Sequence, residues 1–139
     1  MSTPTMVSLI VCDQVIDDRL TNKKSAIGLF NRIMTRSEPI TIPNMTVMAS
    51  LTEITGQADV ELRLVRDSDN ESIFSTQGTI QSPSPLSVVD LVFNMQGLSL
   101  PTSGQYGFEL WSEAELLGRR RFHVSVTSGA SWSDRVDAD

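Results

Sequence analysis

The stretch of sequence that decides the fold runs from Leu98 to Val126 and reads LSLPTSGQYGFELWSEAELLGRRRFHVSV. Apolar and polar residues alternate in its two halves, which are joined by one short polar connection. A period of two on both sides of a short connection predicts a β-hairpin. The segment therefore indicates an all-β fold, because such a hairpin needs further strands to cover its apolar face.

The alternation also predicts how the two strands of this hairpin pair. Placing Phe108 opposite Phe122 puts aromatic rings together on the inward side. The same register pairs Tyr106 with Val124 inward, and Glu109 with Arg121, Trp111 with Arg119, and Gly107 with His123 outward. Opposite charges then meet, a cation lies beside an indole, and each such pair stabilises the sheet by roughly 0.2–1 kcal/mol.

A short motif precedes the first strand of the hairpin. Pro101, Gly104 and Tyr106 resemble the tyrosine corner of immunoglobulin-like sandwiches, in which the tyrosine hydroxyl bonds to backbone a few residues upstream. The resemblance implies that the chain crosses from one sheet to the other at this point.

The rest of the chain adds six candidate strands and no convincing helix. Prolines at positions 39, 43, 83 and 85 break the chain, and residues 13–22 are read as a loop or a frayed continuation of the first strand. The candidate strands are Val7–Cys12, Ser25–Met34, Thr46–Thr52, Ala58–Leu64, Ile73–Gln81 and Ser87–Met95. Strands at this spacing predict an antiparallel β-sandwich, favoured over a barrel, of seven to eight strands over residues 1–126, followed by a flexible acidic tail over 127–139. The resemblance to the tyrosine corner implies that the sandwich is immunoglobulin-like.

The composition of the chain indicates which partners and which cellular compartment to expect. The chain has 139 residues and a net charge of −6, which argues against general binding to nucleic acid or anionic membrane. The single Cys12 has no intramolecular disulfide partner, which favours a reducing compartment. The first residues lack a basic segment, and no apolar run approaches the length of a membrane span. We therefore expect a cytoplasmic protein.

The order of several short motifs resembles a family of uncharacterised bacterial proteins, known as a domain of unknown function. The motifs are Cys12-Asp13, Lys23-Lys24-Ser25-Ala26-Ile27-Gly28-Leu29-Phe30, Pro43, and Pro101-x-x-Gly104-x-Tyr106. The similarity covers about residues 7 to 126 and implies a small cytosolic β-sandwich. It implies no activity and no catalytic residues.

The chain has few residues of the types that usually act as nucleophile, base or zinc ligand, with one histidine and one cysteine. One His and one Cys, predicted on opposite-facing strands, do not make a nucleophile–base pair, so we expect no enzyme activity and no cofactor. One histidine and one cysteine are also too few for a structural zinc site. A weaker alternative is calcium, held by Asp67, Asp69 and Glu71 together with the acidic residues 13, 17 and 18 of another loop.

The best candidate for a binding site is an outward patch of Trp111, Arg119, Arg121 and His123. Tryptophan and arginine are common anchors of protein interfaces, although a loop or Trp132 of the tail is an alternative cover for Trp111. We expect a non-enzymatic interaction module with an unknown protein partner, docked on the last hairpin or added to a sheet edge. Two alternatives stay open: a module that binds calcium or carbohydrate, and a self-associating subunit of a larger assembly such as a phage or injection particle.

Overall fold

A computed structural model describes residues 3–127 of the chain and shows two packed β-sheets. The described residues contain nine strands and no helix. The strands are β1 (Thr5–Asp18), β2 (Lys23–Leu29), β3 (Arg32–Thr35), β4 (Ile40–Thr52), β5 (Gln57–Arg66), β6 (Glu71–Gln81), β7 (Val89–Leu100), β8 (Gly104–Ser112) and β9 (Glu115–Val126). Within this part of the chain, no helix is long and apolar enough to cross a membrane.

The strands form a four-stranded sheet of order β2-β1-β4-β7 and a five-stranded sheet of order β3-β9-β8-β5-β6. All neighbouring pairs are antiparallel except β3 and β9, which run parallel. The expected all-β sandwich architecture is therefore confirmed. Residues 128–139, which include Trp132 and all of the predicted tail except Thr127, lie outside the described residues.

The core lies between the two sheets and follows the alternation of the sequence. On β5, the side chains of Val60, Leu62 and Leu64 are buried, whereas the residues between them face outward. Phe122 is stacked between Tyr106 and Phe108, with ring centroids 5.7 Å and 5.6 Å apart. A sheet with one apolar face must bury that face against another element, and here the second sheet provides the cover.

The predicted strand Ser25–Met34 is two strands, which is one reason why the structure has nine strands and not seven to eight. After β2, the amide of Phe30 donates to Val11 of the four-stranded sheet, and the next carbonyl, of Asn31, accepts from His123 of the other sheet. The chain therefore changes sheets between neighbouring residues. Just before this change, Gly28 has a φ of +74°, a backbone conformation that favours glycine. A Cβ at this position would also collide with the Asp13 side chain.

Pro43 does not break the chain, contrary to expectation. It lies inside β4, between Ile42, which pairs with Leu98, and Asn44, which pairs with Gln96. Strand β1 pairs with β4 only from Thr46 onward, so the missing amide hydrogen of Pro43 falls where β4 has a neighbour on one side only. The acidic residues after Cys12 continue β1 to Asp18.

The hairpin is confirmed, but the predicted register is wrong by two residues. Tyr106 lies opposite Phe122, and Glu109 lies opposite Arg119. The inward and outward faces are nevertheless as expected, because a shift of two residues keeps each side chain on its face. A bulge between Leu110 and Trp111 shifts the pairing of β8 with β9 near the turn of the hairpin, so Trp111 lies opposite Leu116.

The tyrosine corner is present at the crossing from β7 to β8. The Tyr106 hydroxyl donates to the Thr102 carbonyl oxygen at 2.7 Å, and the Thr102 amide approaches the same hydroxyl at 3.4 Å. The fully buried ring thus has a partner for its polar atom. This bond fixes the chain just where it passes from one sheet to the other.

Candidate functional site

The outer face of the five-stranded sheet is organised around a buried carboxylate. Glu109 is only 5% exposed although it points away from the core. Its Oε2 accepts from Arg119 Nη2 at 2.8 Å and Nε at 3.1 Å, and its Oε1 accepts from the Trp111 indole Nε1 at 3.0 Å. A buried carboxylate requires such charge-assisted bonds to offset its loss of hydration.

The indole of Trp111 is held on both its edge and its face. Glu109 fixes the edge, and the guanidinium carbon of Arg63 lies 4.4 Å from the ring centroid. Arg63 is itself paired with Glu61, with Nη2 and Oε1 2.8 Å apart. A cation in this position is attracted by the ring quadrupole. The predicted register implied that Arg119 is the cation beside Trp111, but the cation over the ring is Arg63 of β5.

Arg121 and His123 continue the same outer face along β9. Arg121 Nε donates to Asp67 Oδ2 at 3.2 Å, so its acidic partner is Asp67 and not Glu109. His123 Nδ1 donates to Gln105 Oε1 at 2.8 Å, which orients the imidazole ring. The structure thus places all four residues of the predicted patch on one face. We call this set the outer network: Glu61, Arg63, Glu109, Trp111, Arg119, Arg121 and His123.

Besides Glu109, two members of the outer network, Glu61 and Arg63, were absent from the sequence-based patch. The signal for them is present, because the polar residues of β5 alternate with its buried ones and so share its outward face. What the sequence does not contain is the strand order that places β5 beside β8. That adjacency pairs Glu61 with Trp111 and Arg63 with Glu109.

Two concave regions border the outer network. One, of about 620 Å³, adjoins Trp111 at the end of the sheet near the β8–β9 turn, and its polar lining includes Asp59, Gln77 and Thr79. The other, of about 390 Å³, lies between β3, β9 and β8 and is lined by Asn31, Arg32, Gln105, Arg121, Phe122 and His123. The network therefore has a recess at each end.

Three of the acidic residues offered as calcium ligands, Asp67, Asp69 and Glu71, have basic partners. Arg66 Nη2 lies 2.7 Å from Asp69 Oδ2 and 3.0 Å from Glu71 Oε2, and Asp67 pairs with Arg121. The side-chain hydrogen bond from Arg66 lowers the pKa of Asp69 to about 2. Within residues 3–127, no group of three or more His, Cys, Asp or Glu side chains is arranged to hold a metal ion.

Cys12 and His123 lie on different sheets. Cys12 is fully buried in β1 with its Sγ 3.5 Å from the Gln14 carbonyl oxygen, whereas His123 lies on the outer face of β9. Burial, together with the neighbouring charge of Asp13, raises the pKa of the Cys12 thiol. A thiol with these surroundings is a poor nucleophile, since the thiolate is the reactive form.

Alkylation of Cys12 in the folded protein is therefore expected to be much slower than in the unfolded chain. The thiol must both reach solvent and lose its proton, and the fold opposes both steps. The measurement is the rate of iodoacetamide modification by mass spectrometry, with and without urea. A labelling rate in buffer equal to the rate in urea would contradict the buried position.

The fold and this outer face define the class: a small all-β sandwich protein with an ion-paired, aromatic surface on one sheet. The chain belongs to DUF6941, a family of unknown function, whose model matches residues 7–125. This confirms the membership in a family of unknown function that the motifs indicated, over nearly the expected span. No curated protein matches the chain.

Proposed function

We propose that this protein is a non-enzymatic interaction module whose protein partner contacts the outer network around Trp111 and Arg121. The observation that carries the proposal is the ordered arrangement of one tryptophan and three arginine side chains on the same outward sheet face. Tryptophan and arginine are the residue types most enriched among the energetically dominant contacts of protein interfaces.

The hydrogen bonds of the network favour binding by reducing its entropic cost. Trp111 is already fixed by Glu109 and Arg63, and Arg119 is fixed by Glu109. Ordering a flexible side chain at an interface costs roughly 0.5–1.5 kcal/mol, so groups that are ordered in advance lose less on association. Arg121 keeps about half of its side chain exposed, at 53%, and supplies a cation for an acidic group of the partner.

The recess beside Trp111 gives the partner a shape to fit. It lies next to the indole and extends to β6, one of the two edge strands of the sheet. A partner side chain in this recess and a partner strand along β6 would use neighbouring surfaces. Addition of a strand to the edge is thus compatible with contact at Trp111.

The proposal includes an immunoglobulin-like topology and a bacterial, cytoplasmic setting. Support for the topology comes from the pairing of β4 with β7 in one sheet and of β5, β8 and β9 in the other, with a tyrosine corner at the start of β8. This pairing corresponds to strands B and E and strands C, F and G of that fold. Support for a reducing compartment is the single cysteine, buried as a free thiol.

The test is affinity capture from a lysate of the source organism with the Trp111→Ala/Arg121→Ala double variant beside the wild type. We expect a protein that is recovered with the wild type and lost with the variant, followed by reconstitution of the complex from purified components. A matched control is Lys23→Ala/Leu29→Ala, which removes a cation and an exposed apolar side chain from β2 of the other sheet.

The outcomes separate the candidate functions. Equal recovery of every protein by wild type and double variant would overturn the proposal that the outer network is the docking face. Concentration-dependent self-association that the double variant abolishes would make the partner a second copy of the chain. Both variants must melt cooperatively, because Trp111 also contributes to the packing of its own sheet.

A further inference from the structure

We propose that the recess between β3, β9 and β8 is a binding site for a phosphate monoester dianion. It is lined by Arg32, Arg121 and His123 together with the side-chain amides of Asn31 and Gln105. Three groups that can carry positive charge converge here in a chain whose net charge is −6. Such a local reversal of sign attracts and retains a small anion.

The fold brings these residues together from distant parts of the sequence. Parallel pairing of β3 with β9 places Arg32 directly beside His123, and the His123 amide donates to the Asn31 carbonyl at 2.9 Å. Antiparallel pairing of β8 with β9 places Gln105 on the other side of His123. Arg32, His123 and Gln105 thus lie on neighbouring hydrogen-bonded strands, whose backbones hold the three residues at a fixed spacing.

The hydrogen bonds at the recess leave donors for a ligand. His123 Nδ1 donates to Gln105 Oε1, so Nε2 is the remaining ring nitrogen, and it donates to an anion when the imidazole is protonated. Asp67 engages Nε of Arg121, so the two terminal nitrogens of that guanidinium are left as donors. Among the residues that the structure describes, no carboxylate lines the recess itself. Asp67 is not part of the lining, and its hydrogen bond orients the Arg121 guanidinium.

A phosphate dianion matches the charge of these donors better than a singly charged carboxylate. Two guanidinium groups supply two positive charges and planar pairs of N–H donors, which match the oxygens of a tetrahedral dianion. The recess of about 390 Å³ has room for a phosphate and a small attached group. The recess shares Arg121 and His123 with the outer network, but Arg32 lies outside that network and the anion site needs no protein partner.

The experiment is a titration of the ¹⁵N-labelled protein at constant ionic strength, with inorganic phosphate and with phenyl phosphate as probes. We expect saturable shifts at the backbone amides of residues 31–32, 105 and 121–123, and stronger binding of phenyl phosphate than of inorganic phosphate, because the recess has room for the attached group. Arg32→Gln should weaken binding about tenfold, the effect of removing one charged hydrogen-bonding partner. Sulfate serves as a probe for any tetrahedral dianion.

The control variants distinguish a built site from general attraction. Arg36→Gln removes the same charge from an exposed position near β3 but outside the recess, and it should leave the affinity unchanged. Equal weakening by Arg36→Gln and Arg32→Gln, or the absence of saturable shifts, would overturn the proposal. Trp111→Ala should leave phosphate binding intact, so failure of the interaction module and failure of this site give different results.

Discussion

Replacement of Phe122 by alanine is expected to lower the free energy of unfolding by about 3–5 kcal/mol, as for other buried aromatic residues. The Phe122 ring is 1% exposed and contacts the rings of both Tyr106 and Phe108. Its removal leaves a cavity at the centre of the sandwich, because the backbone of hydrogen-bonded strands cannot collapse to fill it. The measurement is urea denaturation followed by far-UV circular dichroism.

The control for this variant is Phe93→Ala, the same deletion at a half-buried position on β7. It should destabilise the protein by less, since solvent already reaches part of that ring. A loss for Phe122→Ala no larger than that for Phe93→Ala would show that the aromatic stack is not the centre of the core. Phe122→Leu, which retains most of the volume, should give an intermediate result.

Replacement of Glu109 by alanine is expected to lower the free energy of unfolding by about 2 kcal/mol. The change leaves the Trp111 indole N–H without its acceptor and removes both hydrogen bonds from Arg119. The loss is smaller than for a fully buried ion pair, because Arg119 keeps 36% of its side chain exposed and can turn to water. Urea denaturation at neutral pH measures it.

Two further variants separate the parts of this effect. Glu109→Gln keeps a carbonyl oxygen for Trp111 but loses the charge, so it should destabilise the protein by less than Glu109→Ala. Glu61→Ala breaks the more exposed pair with Arg63 and is expected to cost no more than about 1 kcal/mol. Equal stability of Glu109→Ala and Glu61→Ala would contradict the central position of Glu109 in the outer network.

The sequence predicts the faces of the strands better than their partners. Alternation alone assigns Leu62 and Leu64 inward and Arg63 outward, because side-chain direction repeats every two residues. The same logic placed Trp111, Arg119, Arg121 and His123 on one face. Register depends on a bulge after Leu110, and alternation carries no signal for its position.

The change of sheet after β2 could not be predicted for a related reason. The alternation of apolar and polar residues from Ser25 to Met34 is the same whether one strand or two are present. Only the hydrogen bonds to the rest of the fold decide between one strand and two. The Phe30 amide donates to Val11 of one sheet, whereas the Asn31 carbonyl accepts from His123 of the other. The recess with Arg32 depends on this change, so no local pattern in the sequence indicated it.

The parallel pairing of β3 with β9 has a consequence for the order of folding. Arg32 and His123 are far apart along the chain, and closing a loop of that length costs entropy before any contact compensates for it. We therefore expect the short β3 to dock late, after the β8–β9 hairpin has formed. A chain in which β3 has not yet docked would present β9 as an open edge, which strands of other molecules could pair with.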